Sequence, residues 1–143
     1  MHISFAVFAD AANLSQEGKL NILGVFDAVQ VAMLPTIHPR THFVVRLKAN
    51  GDDTGQHKLV FRWLSPFEEE LWSSSGEMNV APSPNPAFDV DLPIIAVVDL
   101  PLNVTGQYIM QVTLDGQVAA SARLLVNANQ APMVSGTPNG LVS

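Results

Sequence analysis

Apolar and polar residues alternate along two neighbouring runs within residues 106–126, and an Asp-Gly dipeptide separates the runs. Alternation with a period of two is typical of a β-strand that buries one face, and Asp-Gly is a preferred hairpin turn. A three-residue loop, Leu114-Asp115-Gly116, pairs Val112 with Val118 and brings both apolar sets to one face. The pattern therefore predicts a β-hairpin in which Gly116 has a positive φ.

Further apolar or alternating runs are separated by turn-forming residues. They predict strands at Ile3–Ala11, Leu20–Val31, His42–Ala49, His57–Leu64, Leu71–Val80 and Ile94–Asp99. Leu20–Val31 is apolar on both faces, which favours a central strand, and Gly24 within it indicates a bulge or a close-packing position. Leu71–Val80 is more polar, so we expect it at a sheet edge.

Two proline-containing segments set the connections between these strands. Residues 34–40 hold two prolines and are expected to form a crossing loop or bent edge that carries the chain between sheets. Residues 81–87 have a proline at every second position and are expected to be an extended crossover loop. We predict one β-sandwich domain over residues 1–126, followed by an irregular or partly disordered tail at 127–143.

Short strands at regular spacing, without helical periodicity, predict an all-β fold: a two-layer antiparallel β-sandwich. The tetrapeptide Thr105-Gly106-Gln107-Tyr108 resembles the Gly-x-Tyr strand entry of immunoglobulin-like domains. In those domains a tyrosine at a sheet corner bonds back to the backbone. The resemblance implies that the sandwich is immunoglobulin-like.

A second resemblance rests on short motifs spread over most of the chain. The motifs are Asp10, Glu17–Asn21 (EGKLN), Leu23–Asp27 (LGVFD), Leu34-Pro35, His38-Pro39 and Gly55–Leu59 (GQHKL). They resemble an uncharacterised family of small bacterial β-sandwich proteins with a Gly-Lys-Leu-Asn, Leu-Gly-Phe-Asp and His-Pro signature. No activity is known for such a family, so the resemblance implies a fold and no functional residues.

Charged residues are scarce for a protein of this size. They make up 14% of the 143 residues, against a usual share of about 25%, while 48% of residues are hydrophobic. We therefore expect part of the surface to be covered by another chain. The net charge is −6 and the seven Lys and Arg residues are scattered, so we expect neither nucleic acid nor a membrane as a partner.

The chain contains no cysteine, which fits a reducing compartment. The apolar run at residues 3–9 has no preceding Lys or Arg, so a buried first strand explains it better than a signal peptide. No run approaches the roughly 18 apolar residues of a membrane-spanning helix. We expect a cytoplasmic protein.

No residue pattern indicates catalysis, a cofactor or a metal. Pro39 prevents the helix that would align His38 with His42 for zinc. Asn50–Asp53 is explained by turn chemistry rather than by calcium binding, and Glu68–Glu70 by a solvated surface run. No serine lies in a Gly-x-Ser-x-Gly elbow. We therefore predict that the protein is not an enzyme.

Three hydrophobic residues are candidates for an interaction surface. Ile109 is expected to point outward among glutamines, where a monomer would favour Lys or Glu, and Trp72 and Phe67 are flanked by polar residues. For Trp72 and Phe67, ordinary core or subunit contact is the favoured interpretation. We predict a non-enzymatic binding or structural module that contacts itself or another protein. A carbohydrate or small-ligand binding domain using Trp72 is the alternative, and a hydrolase with an unrecognised site is less favoured.

Overall fold

The structure, a computed structural model, describes residues 1–85 and 87–129. In this part of the chain there are nine strands and a single 3₁₀ turn, Gly51–Asp53. The strands are β1 (His2–Leu14), β2 (Leu20–Phe26), β3 (Ala28–Val31), β4 (Thr36–Ala49), β5 (Gly55–Leu64), β6 (Glu70–Val80), β7 (Val90–Leu102), β8 (Gly106–Leu114) and β9 (Gln117–Ala128). Most of the predicted tail, residues 130–143, lies outside the described residues.

The strands form two packed sheets. One has four strands in the order β2-β1-β4-β7, and the other has five in the order β3-β9-β8-β5-β6. The four-stranded sheet is antiparallel, whereas β3 runs parallel to β9 in the five-stranded sheet. The predicted all-β two-layer sandwich is confirmed, with one parallel pair in an otherwise antiparallel arrangement.

Aromatic side chains from both sheets fill the core. Trp63 on β5 stacks on Tyr108 of β8 with 5.2 Å between ring centroids, and it meets Phe8 of β1 edge-on at 5.9 Å. The Trp63 indole N–H donates to the carbonyl oxygen of Pro101 at 2.9 Å, so the ring is buried without an unpaired donor. Full burial of one such side chain contributes about 1.5 to 3 kcal/mol. Alternate residues of the strands predicted at 42–49 and 57–64 also point into this core: Phe43, Val45, Leu47, Leu59, Phe61 and Trp63.

The expectation of one central strand over residues 20–31 is wrong. The chain leaves the four-stranded sheet after β2 and joins the five-stranded sheet as β3, and both strands lie at sheet edges. Gly24 has φ of +72° and lies against the side chain of Asp10. Of the two roles predicted for Gly24, the geometry supports close packing, because a Cβ would collide with Asp10, and the β1–β2 register passes Gly24 without a bulge. Residues 20–31 are apolar on both faces because the outer face of β2 carries hydrophobic side chains.

The prediction of a three-residue hairpin loop is also wrong. Leu114 pairs with Gln117 across a two-residue turn, in which Asp115 and Gly116 have φ of +50° and +85°. Such a turn alone would send the second apolar set outward, but a bulge next to Val112 restores the alternation. Val112 pairs with Ala120 rather than Val118. The positive φ predicted for Gly116 is confirmed.

Strand β4 begins earlier than expected and does not form a hairpin with β5. Thr36 already pairs with Leu102 of β7, and Pro39 is accommodated at a register shift where Arg40 has φ of +55°. The crossing between sheets is therefore confined to the residues before Thr36. Strand β7 is longer than predicted because its position at a sheet edge tolerates Pro93 and Pro101. The predicted edge position of β6 is confirmed.

Candidate interaction surface

The outer face of the four-stranded sheet, turned away from the core, is apolar across all four strands. The register pairs Val7 with Val44 and Val44 with Ile95, so these side chains share one face. We use the term apolar sheet face for this set: Val7 and Ala9 on β1, Leu23 and Val25 on β2, Val44 on β4, and Ile95 and Val97 on β7.

Exposure differs between the middle of this face and its margins. Val44 and Ala9 are fully buried although they do not belong to the core cluster, because neighbouring side chains on the same face cover them. Leu23, Val25 and Val97 are 72%, 60% and 59% exposed. Single exposed apolar residues are ordinary, but a contiguous apolar patch is typical of an interaction surface.

The ion-paired residues of this face lie at one end, and Asp99, exposed two residues beyond Val97 on β7, lies at the other. The Asp91 carboxylate on β7 forms ion pairs with two residues of β4. Its Oδ2 lies 2.7 Å from Nη2 of Arg46, and its Oδ1 lies 2.6 Å from Nζ of Lys48. The hydrogen bond from Arg46, and then that from Lys48, lowers the pKa of the Asp91 carboxyl. His42 lies on the same face, opposite Ala9 and Val97, and its buried Nδ1 has no hydrogen-bond partner. Asp99 accepts the backbone N–H of Arg40 at 2.9 Å, so the carboxylates of this face lie at its two ends and its middle is apolar apart from His42.

Ile109 lies on the other outer face of the sandwich. It points outward from β8, as predicted, and is half-buried between Arg123 of β9 and Leu64 of β5. Gln107 and Gln111 flank it along the strand. Ile109 is thus surrounded by a mixture of polar and apolar side chains, and the larger hydrophobic surface lies on the opposite side of the molecule.

Phe67 and Trp72 occupy different environments. Phe67 lies in the turn between β5 and β6 and is 77% exposed. Trp72 sits on β6 directly opposite Trp63 and packs against the core, because residues paired across two strands share one face of the sheet. Its buried indole N–H has no partner. The structure therefore supports core contact for Trp72 and surface exposure for Phe67.

The histidines weighed for zinc lie apart from a third one. His38 and His42 lie on β4, whereas His57 is on β5 in the other sheet. His38 Nδ1 lies 2.8 Å from the Thr41 hydroxyl. Within residues 1–85 and 87–129, no three His, Asp or Glu side chains are grouped to hold a metal ion.

The Asn50–Asp53 segment forms a capping box. The Asn50 side chain accepts from the backbone N–H of Asp52 at 2.9 Å, and the Asp53 carboxylate accepts from the N–H of Asn50 at 2.9 Å. The Asp53 carboxylate also binds the ammonium group of Met1 at 2.9 Å. The hydrogen bond from Asn50, and then that from the ammonium group, lowers the pKa of Asp53.

His57 joins this segment to the β8–β9 turn. Its Nδ1 lies 2.6 Å from Oδ2 of Asp115, and its Nε2 lies 2.6 Å from the carbonyl oxygen of Asp53. The other oxygen of Asp115 accepts from the backbone N–H of Lys58 at 2.9 Å. We call His57, Asp53 and Asp115 the His57 cluster. It borders a cleft of about 580 Å³, which Met1, Ile3, Leu114 and Val118 also line.

The model of a family of unknown function, DUF6941, matches residues 4–127. This match covers most of the chain and extends from β1 into β9. The chain belongs to DUF6941. Membership of an uncharacterised family, expected from the sequence motifs, is thereby confirmed. No curated protein matches the chain.

The part of this DUF6941 protein that the structure describes contains no helix long and apolar enough to cross a membrane. Sequence reasoning missed its two most distinctive surface features. The apolar sheet face combines residues from four strands and becomes visible only once their register is known. Asp53 and Asp115 each carry an ordinary turn signal, and nothing in their spacing indicates that His57 lies between them.

Proposed function

We propose that this protein is a non-enzymatic module that associates with a second copy of itself through the apolar sheet face. The observation that carries the proposal is the exposure of Leu23, Val25 and Val97 on one face whose centre lacks an ion pair. The low share of charged residues, 14%, points in the same direction.

The dimensions of the face match those of a protein interface. Strands β1, β4 and β7 have 13, 14 and 13 residues, and β2 has seven. With about 3.4 Å per residue and about 4.8 Å between strands, the sheet covers about 750 Å². A specific interface of ordinary size buries about 800 Å² on each partner. A second copy, placed face to face, is therefore an occupant of suitable size.

The energetics are compatible with a reversible dimer. Each of the three exposed side chains is already partly covered, so burying the remainder contributes about 1 to 2 kcal/mol. A two-fold contact doubles the set, giving about 6 to 12 kcal/mol in total. Association costs about 4 to 15 kcal/mol, so this balance supports a reversible dimer rather than an obligate one.

Sedimentation of two matched lysine variants tests the proposal. Val97→Lys places a charge on the apolar sheet face, whereas Ile109→Lys places the same charge on the other outer face. We expect the wild type and Ile109→Lys to form dimers and Val97→Lys to be monomeric, with unchanged circular dichroism in all three. A dimeric Val97→Lys variant contradicts the proposal. If Ile109→Lys alone is monomeric, the contact lies on the five-stranded sheet instead.

A strictly monomeric wild type also contradicts self-association. A chain ending at Asn129 separates two reasons for that result. If the shortened chain dimerises while the full chain does not, residues 130–143 occupy the face. If both are monomeric, a second copy is not the partner at the concentrations tested.

We further infer that the sandwich is immunoglobulin-like. Strand β5 lies beside β8 and β8 beside β9, as strands C, F and G do in that fold, while β4 lies beside β7, as B lies beside E. Trp63 on β5 occupies the place of the buried tryptophan of strand C, and the hydroxyl of Tyr108 bonds to the preceding corner.

A further inference from the structure

Both ring nitrogens of His57 face hydrogen-bond acceptors. The Asp115 carboxylate lies at Nδ1 and the Asp53 carbonyl oxygen at Nε2, each 2.6 Å away. A neutral imidazole has one N–H, whereas the imidazolium ion has two. Only the protonated ring can donate to both partners, so the two contacts are both hydrogen bonds only in the charged form.

We propose that His57 is a proton-dependent tie between the β4–β5 connection and the β8–β9 turn. The tie is complete when the ring carries two protons and is open on one side when it carries one. This device is separate from the apolar sheet face, and it does not depend on whether the protein forms a dimer.

The groups around the ring support this assignment. Asp115 approaches from the β8–β9 turn and Asp53 from the 3₁₀ turn, and the Met1 ammonium of the β1 end is held by the Asp53 carboxylate. His2 lines the same cleft. The neighbour of His57 on β6 is Met78, which carries no charge. The nearest carboxylates therefore outnumber the cations that face the ring.

Two hydrogen bonds with the Lys58 backbone hold Asp115 in place as the acceptor for His57. Its Oδ1 takes the Lys58 N–H at 2.9 Å, and its own backbone N–H donates to the Lys58 carbonyl oxygen at 2.9 Å. The hydrogen bond from His57, followed by that from Lys58, lowers the pKa of Asp115. In turn, the hydrogen bond to Asp115, followed by that to the Asp53 carbonyl, raises the pKa of His57.

The raised pKa gives the direction of the pH effect. A histidine whose pKa is higher in the folded chain than in the unfolded chain stabilises the fold fully below the unfolded value of about 6.5. That stabilisation is lost as the pH rises through the folded-state pKa of His57. The lowered pKa values of Asp53 and Asp115 affect stability at acidic pH instead. The stabilisation from these two carboxylates is lost only as the pH falls below about 4.

One side of the tie should open first. A hydrogen bond to an ionised carboxylate is stronger than one to a neutral carbonyl, so the last ring proton stays on Nδ1 toward Asp115. Nε2 then turns a lone pair toward the Asp53 carbonyl oxygen, and this contact becomes repulsive. Loss of the proton therefore releases residues 50–54 and widens the cleft, while Asp115 remains bound to Lys58.

The first measurement uses the wild-type protein. Imidazole ¹⁵N shifts report the protonation of each ring nitrogen, and amide hydrogen exchange reports the opening of residues 50–54. We expect both nitrogens of His57 to be protonated at pH 6 and one of them at pH 9. Over that range, exchange at residues 50–54 should rise about tenfold beyond the intrinsic base-catalysed increase. A singly protonated ring at pH 6, or unchanged protection, overturns the proposal.

The second measurement compares Asp115→Asn with His2→Gln. Asn-Gly suits the same two-residue turn as Asp-Gly, so Asp115→Asn removes the charge and keeps the turn. His2→Gln removes the other histidine beside the cleft. We expect the urea midpoint of the wild type and His2→Gln to fall between pH 6.5 and pH 9, and that of Asp115→Asn to stay level. An equal fall in all three overturns the proposal.

Discussion

At the residue scale, Tyr108 makes the densest set of hydrogen bonds in the described chain. Its hydroxyl oxygen accepts the backbone N–H groups of Asn103 and Val104 at 2.8 and 2.9 Å. The Asn103 side-chain oxygen and the Val104 carbonyl oxygen lie within 2.8 and 2.7 Å, and the single hydroxyl proton is donated to one of them at a time. One side chain thereby fixes the corner between β7 and β8.

Tyr108→Phe should destabilise the protein by about 1 to 3 kcal/mol, because two N–H groups in a partly buried corner lose their acceptor while the ring stays in place. Urea unfolding measures the difference. Phe67→Leu, in an exposed turn, serves as a control in which little change is expected. A Tyr108→Phe variant as stable as the wild type would show that water satisfies the corner and that the hydroxyl is dispensable.

At the scale of elements, the β8–β9 hairpin depends on two consecutive residues with positive φ. Gly116→Ala should cost about 1 kcal/mol, because alanine in the left-handed region is strained. A Cβ at Gly116 would meet no atom within 4 Å, so strain alone sets the cost. Gly51→Ala is the matched control, since Gly51 is equally open and has no positive φ. Equal midpoints for the two variants in thermal unfolding would contradict the strain argument.

The same hairpin shows what could be predicted from the sequence. Alternation identified both strands and the face that they bury, because side-chain direction has a strict period of two. The turn length was predicted incorrectly because a two-residue turn with a bulge and a three-residue loop both restore that period. Pattern alone does not choose between them. Side-chain direction is thus more predictable than register.

The predictions for residues 20–31 and for the β4–β5 connection are wrong for a different reason. A strand that is apolar on both faces is expected at the centre of a sheet, but β2 combines a core face with an outer face that is apolar and exposed. Likewise, two strands joined by a short turn-rich segment are expected to pair, but β4 and β5 belong to different sheets. Hydrophobicity indicates burial or contact without saying which sheet provides it.

At the scale of the whole molecule, the two outer faces of the sandwich differ in character. Arg62 and Arg123 project from the outer face of the five-stranded sheet, whereas the apolar sheet face carries an ion-paired group at one end and Asp99 at the other. The amino-acid composition shows the low share of charged residues, and from it we expect a partner. The composition does not say which face lacks charged residues, because that depends on pairing across four strands. The sequence therefore points to Ile109, whereas the structure makes Leu23, Val25 and Val97 the stronger candidates.

This difference between faces predicts how assembly responds to conditions. Burial of the apolar sheet face lowers the heat capacity, so the proposed dimer should weaken on cooling from about 30 °C to about 5 °C. Arg46 and Lys48 are already paired with Asp91 in the same chain, so a tenfold increase in salt concentration should leave the dimer intact. Sedimentation across temperature and salt measures both effects. A dimer that dissociates in salt and tightens on cooling would instead be held by charged groups, which this molecule presents on its five-stranded sheet.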